Sequence, residues 1–292
     1  MLTKVLAAAL LMAGPARPAA SPRWAGVPVL DLELSAALLS DSRKWAETPG
    51  SPRMSDLRRQ LGRSSPLALR LKPAGGLRLR PETIAARARD SVVVLGSSYR
   101  CGSCADWHLS VATGFAVTTD GIIVTCCHVV DLEDHEGLVA MDARGRSFQV
   151  VEVLAADRER DIAVLRLHRG GIPALALGRM PPVGAPVHLL GHTAEQFYTF
   201  TSGAVSRYFR GQPETGEHLM MAITADFGRG ASGCPVLDEF GGVVGMGDNI
   251  VSTSTVDAEG NLRGGPLFKH ARPVDALRAL LAGSAAGPRP GR

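Results

Sequence analysis

The sequence predicts an all-β chain of two antiparallel subdomains closed by a short helix. Short apolar or alternating runs recur without helical segments between them, turn signals separate them, and a Gly- and Pro-rich stretch from Gly170 to Pro186 divides them into two series. The first series is Val92 to Leu95, Ser110 to Val117, Ile122 to Val130, Gln149 to Leu154 and Ile162 to Leu167, with turns at Thr119-Asp-Gly121 and Ala143-Arg-Gly145. The second is Val187 to Leu190, Thr201 to Tyr208, Leu219 to Ala225, Val236 to Leu237, Val243 to Met246 and a run near Pro266 to Lys269. Strands of this kind close into a sandwich or a barrel. Val274-Asp-Ala-Leu-Arg-Ala-Leu-Leu281 places apolar residues at helical spacing behind Pro273 and before Gly283, which predicts an amphipathic helix.

The amino-terminal part has a different texture. Lys4, the apolar run Val5 to Ala13 and the small residues and prolines through Ala20 form the layout of a secretory signal peptide over residues 1–20. This run is too short to span a bilayer, and no later stretch approaches the roughly 20 apolar residues a membrane helix needs. A secreted or periplasmic location is expected, with no membrane contact once the signal is removed. Residues 21–81 read as a basic, Pro- and Arg-rich leader or propeptide, a solvated segment with one short helix around Met54 to Leu61. The net charge of +4 is uneven: residues 1–90 hold 15 Lys and Arg against 7 Asp and Glu, and the remainder 17 against 21. The basic excess lacks the aromatic interleaving of a base-stacking surface, so no nucleic-acid partner is expected.

Three residues carry the chemistry. Ser232, in Gly230-Ala-Ser-Gly-Cys-Pro235, stands between residues that let the backbone turn tightly and present one hydroxyl beside amide donors. A serine hydroxyl is a weak nucleophile and needs a positioned base and an orienting acid. His128 follows the apolar run from Ile122, where strand becomes loop, and Asp161 opens the apolar strand Ile162 to Leu167.

In this order the motifs resemble the trypsin/chymotrypsin-like serine peptidases, and most closely their bacterial Deg/HtrA-type branch. Ala112-Thr-Gly-Phe-Ala-Val-Thr-Thr-Asp-Gly-Ile-Ile-Val-Thr-Cys-Cys-His-Val-Val130 is similar to the hairpin leading to the catalytic His, and Asp161-Ile-Ala-Val-Leu165 to the catalytic Asp strand. Thr201-Ser-Gly-Ala-Val-Ser206 resembles the strand that opens the second barrel. The resemblance implies two antiparallel β-barrels of the trypsin-like type with a short C-terminal helix: a peptidase domain over 82–283, barrels at about 82–169 and 186–273, the helix at about 274–282 and a tail over 284–292. The same resemblance lacks a following PDZ-like domain.

What the resemblance implies about activity is a serine endopeptidase. Ser232 attacks a peptide or unfolded-protein substrate, His128 is the base, Asp161 orients it, and the backbone amides of Gly230 and Ser232 form the oxyanion hole, without metal or organic cofactor. The alternative is a non-catalytic module binding extended peptides by strand addition. The chain departs from the family at four points. Ala231 replaces the Asp that pairs with a freed amino terminus in trypsin-like members, Cys234 replaces a glycine, and Asp226 stands where members cleaving after basic residues keep the specificity-pocket acid. The fourth is the cysteine set. Five cysteines in an exported chain leave one unpaired; Cys101 and Cys104 are expected to form a short-loop disulfide, with a redox pair or half of a zinc site as the other readings, and Cys126 or Cys127 meeting Cys234 is a second bridge to test.

Overall fold

A computed structural model describes residues 29–211, 217–256 and 262–282. The signal-peptide reading over 1–20 and the tail over 284–292 therefore lie outside the described residues.

Two closed six-stranded antiparallel barrels form the molecule. The first comprises β1 (Val92–Arg100), β2 (Trp107–Ala116), β3 (Ile122–Thr125), β4 (His135–Met141), β5 (Ser147–Asp157) and β6 (Ile162–Leu167), in the order β1-β2-β3-β6-β5-β4. The second comprises β7 (Pro186–Thr193), β8 (Gln196–Arg210), β9 (Leu219–Ile223), β10 (Pro235–Leu237), β11 (Val243–Val256) and β12 (Leu262–Pro273), in the order β10-β11-β12-β9-β8-β7. Closure leaves neither sheet with a free edge. The first strand of the first barrel shows why these segments are strands: Val92, Val93, Val94 and Leu95 are β-branched or branched apolar residues buried on both faces, where such side chains pack best against a pleated surface.

The closing helix, here α4, spans Val274–Ala282 and buries Val274, Leu277, Leu280 and Leu281, as its spacing predicts. β4 is a strand the sequence reading does not contain. Its polar start, His135-Glu-Gly, hides a four-residue apolar end that pairs with both β1 and β5.

The leader differs more from expectation. Residues 31–47 form α1 (Asp31–Glu47), residues 54–60 form α2 (Met54–Gln60), matching the expected short helix, and Pro81–Ser91 forms α3. From residue 29 onward this segment is no solvated linker. Leu38, Met54, Leu57 and Leu61 are fully buried in the hydrophobic cluster that includes the first-barrel core, and burying side chains of this size contributes about 1.5–3 kcal/mol each. Backbone bonds then tie the extended stretch down: Leu67 N and Leu69 N donate to Leu280 O and Leu281 O at 2.7 and 3.0 Å, and Leu79 N donates to Glu239 O at 2.8 Å. The segment thus straps α4 and the second barrel to the first. Composition and charge conceal this, because Arg58 and Arg63 spend their charge on Asp131 and Glu152, at 3.0 and 2.7 Å.

Candidate active site

β3 is buried to its last residue, Thr125, and Cys126 then leads into a single 3-10 turn, Cys127–Val129. This turn carries His128 outward while Cys126, Cys127, Val129 and Val130 stay in the core, so the imidazole is half exposed on a rigid mount. Asp161 precedes β6 with φ of +54°, a left-handed conformation that costs a non-glycine residue about 1–3 kcal/mol. The turn aims the carboxylate. Oδ1 accepts from His128 N at 2.9 Å and Oδ2 from His128 Nδ1 at 2.6 Å, so one acid holds both the backbone and the ring. With Nδ1–H donated to Asp161, Nε2 is left as the proton acceptor.

The loop that carries Ser232 is bonded onto the first barrel. Thr113 of β2 donates its N–H to Ser232 O at 3.0 Å and its hydroxyl to Gly230 O at 2.8 Å, while Thr125 Oγ1 donates to Thr113 O at 2.7 Å. Thr125 is three residues from His128, so His128 and Ser232 are registered through one short chain of bonds. Gly233 has φ of +86°, and a Cβ there would overlap Thr113 O and Thr125 Oγ1; no other residue fits this approach. Within the loop Ala231 N, Gly233 N and Cys234 N donate to Gly228 O, Gly247 O and Ala231 O. Among the described residues, the amides of Gly230 and Ser232 have no such acceptor, which suits the donor role expected of them. Cys234 is fully buried in space left by Gly191 and Gly247, which face it without side chains, so the extra side chain is accommodated.

A second acid, absent from the sequence reading, joins the site. Asp248 sits at a β-bulge where the β11–β12 register shifts between Gly247 and Asn249, and a bulge re-aims a side chain. Its carbonyl accepts the Ser232 hydroxyl at 3.5 Å, while its carboxyl lies within 4.8 Å of the Cys126, His128 and Asp161 side-chain atoms. Its charge partner is Arg272 of β12, Nη2 to Oδ2 at 2.9 Å, with only 11% and 5% of the two side chains exposed. Burial pushes the Asp248 carboxyl up to about 6, against the pull of Arg272 and with the push of Asp161. Asp161 is held below the usual carboxylate range: burial opposes this, but the bonds and charge of His128 and a hydrogen bond from Asp248 outweigh it. Burial lowers His128, yet the bond and charge of Asp161 carry it above its ordinary value. The only sequence signal for Asp248 is a charge at the end of the apolar run Val243 to Gly247, and Arg272 has none of that kind.

The remaining candidates are placed as follows. The Asp226 side chain is 82% exposed and paired with the buried Lys269 Nζ at 2.9 Å, so its charge is already neutralised. Ala231 is buried in the second core. The disulfides are corrected: all five cysteines are free. Cys101 and Cys104 hold their sulfurs 3.3 Å apart where a bond needs about 2.0 Å, because Cys104 Sγ turns to His108 Nε2 at 3.0 Å. Cys126 and Cys127 face different carbonyls, Gly247 O and Ile162 O, where the chain passes from the extended Cys126 into the 3-10 turn at Cys127.

Two antiparallel barrels with a His–Asp pair on one and a serine loop from the other define the trypsin-like class of peptidase folds. Residues 112–246 match the family model described as a trypsin-like peptidase domain. The chain is 31% identical over 147 residues to a probable periplasmic serine endoprotease, DegP-like, of Hahella chejuensis, covering 50% of this chain and 31% of that protein. It is 35% identical over 147 residues to the mitochondrial serine protease HTRA2 of Bos taurus, covering 47% and 31%. The chain thus matches about a third of the length of these relatives. Among solved structures, the HtrA-type protease AlgW with decapeptide is similar, with a TM-score of 0.57 at 20% identity over 69% of this chain and 66% of that one. Residues 112–246 are thus similar to a trypsin-like peptidase domain, and the two-barrel fold to that of an HtrA-type protease.

Proposed function

We propose that this chain is an exported serine endopeptidase that hydrolyses peptide bonds through Ser232, His128 and Asp161. The observation that carries the reading is the two-point hold of Asp161 on His128, which fixes both the position and the tautomer of the base. Ser232 Oγ attacks the carbonyl carbon of an extended peptide as its proton passes to His128 Nε2, and the amides of Gly230 and Ser232 receive the oxyanion. The imidazolium then protonates the leaving amine, and water repeats the sequence on the acyl-enzyme. Peptide substrates fit the decapeptide named with the AlgW structure, and export fits both the amino-terminal signal pattern and the periplasmic relatives. The test is a fluorophosphonate label on the purified chain with the modified peptide mapped by mass. A single adduct on Ser232 is expected; a folded protein that takes no label, or takes it elsewhere, removes the reading.

Asp248 has a positioning role in this scheme, and the pH profile reports it. His128 must be neutral to act, so kcat/KM rises with pH through its elevated value. The negative charge of Asp248 helps hold that value up and the positive charge of Arg272 opposes it. Asp248→Asn removes the first and leaves the second, so the acidic limb moves to lower pH. The buried Arg272 also loses its partner, at a cost of about 3–5 kcal/mol, which Arg272→Met in the same chain relieves. A limb that does not move assigns Asp248 to structure alone.

A further inference from the structure

The tip of the β1–β2 hairpin carries chemistry that hydrolysis does not use. Cys101 and Cys104 lie in the loop after β1, and His108 is the second residue of β2. Cys101 Sγ is 3.3 Å from Cys104 Sγ, Cys104 Sγ is 3.0 Å from His108 Nε2, and all three atoms lie within 4.8 Å of one another. We propose that Cys101, Cys104 and His108 bind a divalent cation of the zinc class, with the fourth position open to water or a ligand atom.

The donor set and its spacing support a metal over a disulfide. A tetrahedral ion bound at about 2.3 Å to sulfur and 2.0–2.1 Å to nitrogen sets its ligands roughly 3.7 Å apart for sulfur pairs and 3.5 Å for sulfur and nitrogen. The observed separations fall roughly half an ångström short of these, whereas a disulfide requires the sulfurs to close by more than an ångström and leaves His108 unused. Two thiolates and a neutral imidazole balance the charge of the ion, and binding releases the two thiol protons with no change of oxidation state.

His108 is a prepared ligand. It pairs opposite Tyr99 in the regular part of the hairpin, with the two rings 5.4 Å apart, so its ring is oriented by a strand rather than by the loop. Arg100 braces the loop from the other side, donating to Ala105 O and lying 4.3 Å from the Trp107 ring centre. The same hairpin contributes Tyr99, Leu109 and Val111 to a cavity of about 620 Å³ that Arg229 and Gly230 complete. An ion at the tip therefore fixes the end of a wall that reaches the nucleophile loop.

Cobalt(II) is the probe, titrated into the reduced full-length chain in the absence of oxygen. The expected result is saturation at one equivalent with thiolate-to-cobalt charge-transfer and tetrahedral d–d bands, bleached by one equivalent of zinc. Cys104→Ser and His108→Ala lose these bands; both positions lie outside the core. His128→Ala keeps them, which separates this site from the Cys126, His128, Asp161 and Asp248 cluster at the triad. Absence of a saturable spectrum, bands that survive in Cys104→Ser, or bands lost in His128→Ala would each overturn the proposal.

Discussion

Ser232→Ala is expected to lower kcat about 10⁶-fold on a peptide substrate while leaving the fold and substrate binding in place. The size follows from the loss of the only atom that bonds to the carbonyl carbon; without it the base has nothing to activate. Binding survives because the loop is held by its backbone. Ser232 O accepts from Thr113 N, Gly233 N donates to Gly247 O, and the serine hydroxyl itself makes only a 3.5 Å bond to Asp248 O. What remains is the weaker catalysis of a site that still orients the peptide, roughly 10³–10⁴ over water. Steady-state kinetics beside a peptide-affinity measurement distinguish the enzyme from a strand-adding peptide binder. A wild type no faster than Ser232→Ala, with equal affinity for peptide, assigns the chain to the binder.

Every strand but β4, and the places of His128, Asp161 and Ser232 beside strand ends, were legible because their signals are local. Alternation marks a half-buried strand, and His128, Asp161 and Ser232 each stand at the edge of an apolar run, where strand gives way to loop. α1 was present in the pattern but hidden by composition. Leu34, Leu38, Ser42 and Trp45 fall three or four residues apart and face the barrel, yet the arginines and prolines downstream dominate any average over the leader. Asp248 was not legible for a different reason. Its aim depends on a bulge in the β11–β12 pairing, and its charge is balanced by Arg272 on the opposite strand, 24 residues away in sequence. Nothing local to either residue specifies that pairing. The cysteines fall between these cases: the Cys-x-x-Cys spacing was visible, while His108 joins it only through the hairpin register.

Asp161→Asn should reduce kcat/KM about 10⁴-fold at neutral pH with little change in KM. The argument turns on which atom faces the ring. Asp161 Oδ1 accepts from His128 N, and an asparagine oxygen keeps that bond, which leaves its amide NH₂ where Oδ2 now meets Nδ1 at 2.6 Å. An amide donor there requires Nδ1 to accept, so the ring proton moves to Nε2, the nitrogen that the proposed mechanism uses as the base. The charge is lost as well. Asp161 is the chief influence holding His128 above its ordinary value against burial, so the acidic limb of the Asn variant lies at lower pH than that of wild type. At alkaline pH a hydroxide-dependent rate can bypass the blocked nitrogen and recover part of the loss. A variant that loses activity equally at every pH, with its limb unmoved, would mean that Asp161 only anchors the Cys127–Val129 turn. Asp161→Ala gives the complementary control, because it removes the backbone bond to His128 N and therefore loosens the turn without imposing the wrong tautomer.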